Sequence, residues 1–228
     1  MTPPLLHPRL EPPWLVAELG TSLRVLSFAP YRSGFVMADR IVWRELRNAD
    51  LPVDLAVSDW VTAEMTEAGH TEAVGMLTSR DVTKFQRKET RVEGARVAAI
   101  ATVGLGNAER IGTRTPRDWS FERYGTINIA VQIAEGLTEA AQIEALSIAT
   151  QARTAAVVDA GLRLPHGPVT GTGTDCIAIA APKGDTAYAG LHTALGEAIG
   201  TAVYQTVAEG AAVWIKENPE MMRNVFGA

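Results

Sequence analysis

Short runs of apolar residues, bounded by glycine, proline or charged positions, recur along the chain and predict strands. Residues 176–181 are apolar without interruption and predict a buried strand. Residues 84–92 alternate charged with other side chains and predict a solvent-facing one. A turn near Gly20 is expected to separate the first two strands. The predicted strands cover residues 14–17, 22–28, 35–46, 73–78, 84–92, 95–103, 125–133 and 176–181.

Longer segments with helical start and stop signals predict helices. Ser58 and Thr138 are expected N-caps, because a hydroxyl oxygen accepts a hydrogen bond from the first helical turn. Gly69 and Gly161 are the expected stops, since glycine readily adopts the left-handed conformation that ends a helix. The two long segments are rich in alanine and glycine, so we expect them to pack closely side by side. The predicted helices cover residues 59–68, 138–160 and 191–216.

These elements favour the α+β class, with a mixed, largely antiparallel sheet and the two long Ala/Gly-rich helices on one of its faces. Residues 1–13 are proline-rich and are expected to form an extended N-terminal arm on the surface. No linker-like segment divides the remainder, so residues 14–228 are predicted to form a single domain. Of the 228 residues, 46% are hydrophobic, which is enough to bury a sizeable core.

Charge and targeting signals narrow the function classes. The formal net charge is -5 and there is no basic cluster, which argues against a nucleic-acid partner. No apolar run approaches the roughly 20 residues that a membrane-spanning helix needs, and no signal peptide is expected. The single cysteine, Cys176, fits a reducing compartment, so a cytoplasmic location is expected. Association into a homo-oligomer is compatible with these features.

The segment 169–181 is a candidate functional loop. It reads VTGTGTDCIAIAA, a polar turn that leads into the apolar strand, with the carboxylate of Asp175 at the junction. Gly171 and Gly173 let the backbone approach a ligand closely, and the N–H groups of such a turn can form an anion-binding concavity. The alternative is a tight turn whose threonines satisfy its own backbone.

Other types of site find little support. The four histidines are scattered through unlike contexts, so no metal site is expected. The loop 104–110 lacks the third glycine of a dinucleotide fingerprint, and the loop 170–175 lacks the lysine of a P-loop. Cys176 lies in an apolar run and is expected to be an inert core thiol. Thr172 or Thr174 could act as a nucleophile only with an adjacent base.

Polar residues on three separate loops are the remaining candidates for chemistry. His192 stands where a helix begins, and the nearby N–H groups could help it bind an anion. The alternative is that His192 and Thr193 only cap that helix. The three groups are Asn107 with Glu109 and Arg110, Thr174 with Asp175, and His192 with Thr193 and Glu197.

At these loops the sequence resembles the adenosylcobinamide amidohydrolases of corrinoid salvage. The resemblance implies hydrolysis of the amide that joins aminopropanol to a propionyl arm of the corrin ring, giving adenosylcobyric acid. It implies a small-molecule corrinoid as the partner and no required cofactor, since cobalt arrives only with the substrate. Five blocks carry the resemblance: ATVGLGNAERIG (101–112), GTINIAV (125–131), the helix after LTEAA (137–141), TGTGTDCIAIA (170–180) and YAGLHTALGEAIGTAVY (188–204).

One block departs from the family. Where the family carries Thr-Glu-Ala-Lys-Thr, this chain has Gln151 in place of the glutamate and Arg153 in place of the lysine. The lost carboxylate motivates an alternative, a corrinoid-binding protein without turnover. A third hypothesis, an amidase for a smaller substrate, predicts a narrow pocket.

Amide hydrolysis needs an activated nucleophile, donors for the oxyanion and an acid for the leaving amine. We expect Asp175 to orient or deprotonate water and His192 to protonate the amine, oriented by Glu197 or Thr193. N–H groups of the turn 171–174, with Asn107 or Asn128, would hold the oxyanion. The candidate catalytic residues are thus Asp175, His192, Thr174 and Glu197. The candidate substrate-binding residues are Asn107, Asn128, Gly171, Thr172, Gly173, Thr193, Gln151 and Arg153.

Overall fold

The computed structural model describes residues 4–46, 56–113 and 125–220 and shows the expected α+β fold. Eight strands form a mixed sheet in the order β4-β3-β2-β12-β8-β6-β5, with β1 paired to β2. The strands are β1 (His7–Glu11), β2 (Trp14–Ser27), β3 (Gly34–Glu45), β4 (Val74–Thr78), β5 (Gln86–Val92), β6 (Ala95–Val103), β7 (Ala108–Glu109), β8 (Ile127–Ile133), β9 (Arg163–Leu164), β10 (Gly167–Pro168), β11 (Gly171–Thr172) and β12 (Cys176–Ala181).

The pairing is largely antiparallel, as the sequence predicts. Only β12 with β8 and β3 with β4 run parallel within this sheet. Because β8 and β12 are parallel neighbours, with Asn128 opposite Cys176, both strands begin at the same end of the sheet. The loops that precede them are therefore brought together at that end.

The expected break near Gly20 is a bend inside one long strand. Residues 14–27 form a single β2, which stays paired with β3 on both sides of a register shift between Glu18 and Leu23. Gly20 has a φ of 77°, a conformation that glycine adopts without steric cost. The two separate strands predicted here are corrected to one, since the bulge bends the strand without ending it.

The helices follow the predicted punctuation with two corrections. Thr138 caps α2 through its hydroxyl, which accepts a hydrogen bond from the N–H of Ala141, and Gly161 has the left-handed φ expected after the helix. Ser58 is not an N-cap: α1 begins earlier, after Ala56. The third helix also begins later than predicted, at Ala194. The helices are α1 (Val57–Glu67), α2 (Glu139–Asp159) and α3 (Ala194–Glu217).

The two long helices lie side by side on one face of the sheet, as expected. Their small residues and the inner face of β6, β8 and β12 form a hydrophobic core in which Ala145, Ala149, Ala198 and Ala202 are fully buried. A Cβ added to Gly210 would lie 2.6 Å from a methyl of Val103, so α3 packs directly on β6. No helix in the described parts of the chain is both long and apolar enough to cross a membrane.

The other face of the sheet bends around a second core, and the N-terminal segment contributes to it. Residues 7–11 are extended and add strand β1, while Leu5 and Leu6 are buried. The N–H of Leu6 donates to Oε1 of Gln132 at 2.6 Å. Part of the predicted surface arm is therefore fixed to the sheet. Farther along, Nδ2 of Asn128 donates to the carbonyl oxygen of Leu77 at 2.6 Å, which ties β8 to β4 across this core.

Candidate active site

Two glycine-spaced loops of the sequence lie against each other at the end of the sheet where β8 and β12 begin. Strand β7, from the loop 104–110, pairs antiparallel with β11, from the loop 169–175. The N–H of Gly173 donates to the carbonyl oxygen of Asn107 at 3.1 Å. Nδ2 of Asn107 also lies 3.5 Å from Oγ1 of Thr174. The structure thus brings together Asn107 and the turn that precedes Asp175.

The Asp175 carboxylate is held by four donors. Oδ1 accepts hydrogen bonds from the N–H of Ile127 at 3.0 Å and from the hydroxyl of Thr172. Oδ2 accepts from the N–H of Thr172 at 3.0 Å and from Nη1 of Arg153 at 2.5 Å. Both oxygens are therefore occupied by protein groups. For this reason, a water molecule would interact with the Asp175 carboxylate more favourably through the Thr172 hydroxyl than by direct contact.

The surroundings of this carboxylate set its protonation. The side chains of Asp175 and Arg153 are 8% and 15% exposed. Burial raises the pKa of Asp175 above its usual value, while the Arg153 guanidinium and the hydrogen bonds from Thr172 and Ile127 act in the opposite direction. A carboxylate with a raised pKa is a better proton acceptor near neutral pH.

Gly171 makes room for the Asp175–Arg153 pair. A Cβ at this position would lie 1.8 Å from Nη1 of Arg153 and 2.6 Å from Oδ2 of Asp175. No side chain fits there unless the ion pair moves. The glycine is thus required for close packing of the pair against the backbone of the turn.

A cavity of about 530 Å³ opens beside this turn. Asn128 lies in its wall and is buried; its Nδ2 donates to the carbonyl oxygen of Leu77, and its Oδ1 lies 3.3 Å from the hydroxyl oxygen of Thr126. The Thr126 hydroxyl lies 2.7 Å from the carbonyl oxygen of Thr174, to which it donates. Asn107 and Thr174 supply further polar groups. The apolar part of the wall is formed by Phe28, Pro30, Leu46, Val57, Leu77 and Cys176.

A second, more polar cavity of about 450 Å³ lies on the other side of the turn. Asp175 and Arg153 line it, together with the turn residues Gly171, Thr172 and Gly173. Phe28 lines both cavities, so the two spaces adjoin at this residue. A ligand that reaches across Phe28 would place one part in apolar and another in polar surroundings.

The group His192, Thr193 and Glu197 has a structural explanation. The hydroxyl of Thr193 accepts a hydrogen bond from the N–H of Gly196 at 2.9 Å and so caps α3. His192 and Glu197 are exposed, and neither lines either of the two cavities. For Thr193 the capping alternative is therefore the one observed.

The position of α3 keeps this group away from Asp175. The segment before the helix is tied to the first half of α2, where the N–H of Ala189 donates to Glu144 at 2.7 Å. Arg153, which contacts Asp175, lies nine residues after Glu144. At a rise of 1.5 Å per residue, this places Arg153 about 13 Å farther along the axis of α2. The predicted convergence of all three loops is therefore corrected: two meet, and the loop with His192 lies toward the opposite end of the sheet.

Gln151 and Arg153, the two residues of α2 that differ from the family's sequence block, have different surroundings. Gln151 is exposed, and its Nε2 lies 3.2 Å from the hydroxyl of Ser147 in the preceding turn. It lines neither of the two cavities. Arg153 faces the turn and also donates to the carbonyl oxygen of Thr170 at 3.1 Å. The arginine belongs to the site, whereas the glutamine belongs to the solvent-facing side of α2.

Cys176 agrees with the expectation of an inert thiol. It lies at the start of β12 and is buried, and burial raises its pKa to about 12. As to metals, the described parts of the chain contain no group of three or more His, Cys, Asp or Glu side chains close enough to hold an ion.

Several residues that line the cavities carry no local sequence signal. Phe28 directly follows β2 and Leu77 lies within β4, two ordinary apolar strands, and both line the first cavity. Thr150 and Thr154 lie on α2 beside Arg153 and line the second cavity. Their spacing of four residues on a helix would have been a usable signal, because such residues share a face.

This fold and site define an α+β protein with ligand-sized cavities around a glycine-rich turn. Residues 6–219 match the adenosylcobinamide amidohydrolase family, and because this match covers nearly the whole chain, the protein belongs to that family. The resemblance of the five sequence blocks is confirmed.

Two further similarities are more limited. An uncharacterized protein of Methanocaldococcus jannaschii is 37% identical over 92 residues, which cover 39% of this chain and 36% of that protein. The crystal structure of the PH0078 protein from Pyrococcus horikoshii aligns with 86% of this chain and 76% of its own, at 10% identity and a TM-score of 0.39. The matched part thus spans about a third of the length of the first relative.

Proposed function

We propose that this protein hydrolyses the amide that joins aminopropanol to the corrin ring of adenosylcobinamide. The products would be adenosylcobyric acid and the free amino alcohol. The observation that carries the proposal is the contact of Thr172 with Asp175 in a polar cavity of a protein from this family. The proposed reaction uses water and needs no metal of its own, because cobalt arrives with the substrate.

The proposed proton path runs through Thr172. Its hydroxyl donates to Oδ1 of Asp175, and the residue lines the cavity. As water attacks the amide carbon, its proton passes to the Thr172 oxygen while the Thr172 proton moves to Asp175. A new C–O bond forms, the C–N bond breaks, and the same path returns the proton to the leaving amine. This route assigns to Asp175 the acid role that the sequence suggests for His192.

Asn107 is the proposed oxyanion donor, because its Nδ2 lies 3.2 Å from the position of a Cβ on Gly173, which lines the polar cavity. Its Nδ2 contact with Thr174 is long, at 3.5 Å, so this N–H₂ group has capacity left for a ligand oxygen. Asn128 already donates from Nδ2 to Leu77. A donor aimed at the developing negative charge lowers the barrier, and loss of one such donor typically costs on the order of 100-fold in rate.

The cavities support a large substrate over a small one. Two adjoining spaces of about 530 and 450 Å³ share the border residue Phe28. They differ in polarity, as a macrocycle with polar arms requires. The exposed position of Gln151 weakens the reason for expecting a binding protein without turnover.

The test is release of aminopropanol from adenosylcobinamide by the purified protein in the presence of a chelator. We expect product from the wild type and a rate lowered about 100-fold in Thr172→Val, which keeps the shape and removes the hydroxyl. Thr172→Ser keeps a hydroxyl and should retain most of the rate. Tight binding without product would favour the non-catalytic alternative. Activity on a small amide alone would favour the third hypothesis.

A further inference from the structure

Two exposed apolar side chains stand at the edge of the polar cavity. Phe28 is 54% exposed and Ile111 is 82% exposed, and both line the cavity that contains Asp175. Single exposed apolar residues are common on protein surfaces. Two of them at one cavity mouth form a surface that a ligand can cover.

Both residues are held in place despite their exposure. The N–H of Ile111 donates to the hydroxyl of Thr170 at 2.7 Å, which fixes the loop next to the turn before Asp175. Phe28 directly follows Ser27, the last residue of β2, which pairs with Ala178 of β12. Ile111 therefore lies in a hydrogen-bonded loop after β7, and Phe28 lies immediately after a paired strand.

The charges inside the cavity indicate what it accepts. Its charged lining residues in the described parts of the chain are Glu109, Arg110, Arg153 and Asp175, two of each sign. Arg110 and Arg153 also donate to backbone carbonyl oxygens, of Pro168 and Thr170. A balanced set of charges favours a neutral polar group, such as an amide arm, over a strongly anionic one.

We propose that Phe28 and Ile111 form a ring-binding rim that holds the flat face of the corrin macrocycle over this cavity. With the ring against the rim, an amide arm on the edge of the ring can enter and reach Thr172 and Asp175. A small amide would leave the rim exposed and lose that binding energy, so the rim sets specificity for macrocyclic substrates. This inference rests on the proposed function, which supplies the macrocycle.

The direct test measures binding of the ring without the amino alcohol arm. Equilibrium dialysis with adenosylcobyric acid should give a dissociation constant about tenfold higher for Phe28→Ala, because the apolar area covered by the ring is lost. Ile111→Ala should have a smaller effect in the same direction, and Phe28→Tyr should restore binding. Phe35→Ala and Ile143→Ala are matched controls, since these residues are 41% and 54% exposed and line neither cavity.

Kinetics with adenosylcobinamide separate the rim from the proton path. The rim variants should raise KM and leave kcat close to that of the wild type. If wild type hydrolyses the substrate and the double variant of Phe28 and Ile111 binds as tightly, the inference is overturned and the proposed function stands. If the rim variants weaken corrinoid binding and the wild type releases no amine, the proposed reaction is overturned and the inference about the rim is supported. No corrinoid binding by wild type would overturn both.

A structural role for Phe28 has its own signature. If Phe28 has a structural role, Phe28→Ala would lower kcat, the midpoint temperature of unfolding and the affinity for the corrinoid together. Phe28→Tyr would then not separate these three effects. That result would also overturn the inference. Thermal unfolding followed by circular dichroism should instead show both alanine variants folded like the wild type, because the two side chains are largely exposed.

Discussion

Nη1 of Arg153 lies 2.5 Å from Oδ2 of Asp175 and donates to it from the middle of α2. The same nitrogen donates to the carbonyl oxygen of Thr170, so one guanidinium holds both the beginning and the end of the turn before β12. The shape of the turn therefore depends on a helix that is distant from it in sequence. Substitution of Arg153 or of Asp175 should therefore change the conformation of the turn at the site.

Asp175→Asn should abolish most of the amidohydrolase activity. We expect kcat to fall about 100-fold or more, because the amide cannot accept the proton that Thr172 passes on. The variant also leaves the buried Arg153 guanidinium without its counter-charge, which typically costs about 3–5 kcal/mol in the free energy of unfolding. Aminopropanol release and urea unfolding measure the two effects.

Arg153→Lys provides the matched change on the other side of the pair. It keeps the positive charge, as the lysine of the family block does, and should lose far less activity than Arg153→Ala. Equal loss in both variants would mean that the planar guanidinium geometry, and not the charge, holds the turn. Full activity in Asp175→Asn with an intact fold would remove Asp175 from the proposed mechanism.

Gly171→Ala should disable the site although it adds only one methyl group. The added Cβ would lie 1.8 Å from Nη1 of Arg153, so the ion pair with Asp175 has to separate. We expect loss of nearly all activity. Gly94→Ala is the control, because a Cβ there meets nothing within 4 Å, and it should behave like the wild type. A fully active Gly171→Ala protein would contradict the packing described for this turn.

His192→Ala should leave kcat and KM unchanged. The residue is exposed, and the segment that carries it is tied to the beginning of α2, away from Asp175. This expectation is the opposite of the one that the sequence suggests. A large fall in kcat, with an altered acidic or basic limb of the pH–rate profile, would restore His192 as the acid for the leaving amine.

Thr193→Ala should affect stability more than activity. Its hydroxyl accepts the hydrogen bond from Gly196 that caps α3, and loss of an N-cap typically lowers the free energy of unfolding by about 1 kcal/mol. Thr193→Ser keeps the cap and should keep the stability. Denaturant unfolding compares the three proteins, and a raised KM at unchanged stability would point to a role in substrate binding.

The native protein should resist thiol alkylation. Burial raises the pKa of Cys176 to about 12, so the thiol stays protonated at neutral and mildly alkaline pH. At pH 8 only roughly one thiol in ten thousand is the reactive thiolate. Iodoacetamide should therefore modify Cys176 only after unfolding, as judged by mass spectrometry. Rapid modification of the folded protein would show that the cavity wall opens to expose the residue.

Local patterns were sufficient for much of the fold. The uninterrupted apolar run 176–181 predicts a buried strand, and β12 is buried along its whole length. Thr138 and Gly161 mark the ends of α2 because capping and the left-handed stop depend on residues within one helical turn. Gly20 was misinterpreted for a related reason: the same glycine permits either a turn that ends a strand or a bulge that bends it.

The sequence by itself determined the α+β class, the long helices, the family and the importance of the turn around Asp175. Only the tertiary structure decided which polar loops share a site. It joined β7 to β11 through backbone pairing, buried the Arg153–Asp175 contact against Gly171, and left His192 near the other end of α2. The physical reason is that propensity and capping act over a few residues, whereas convergence depends on strand order and helix direction, which many distant contacts fix together.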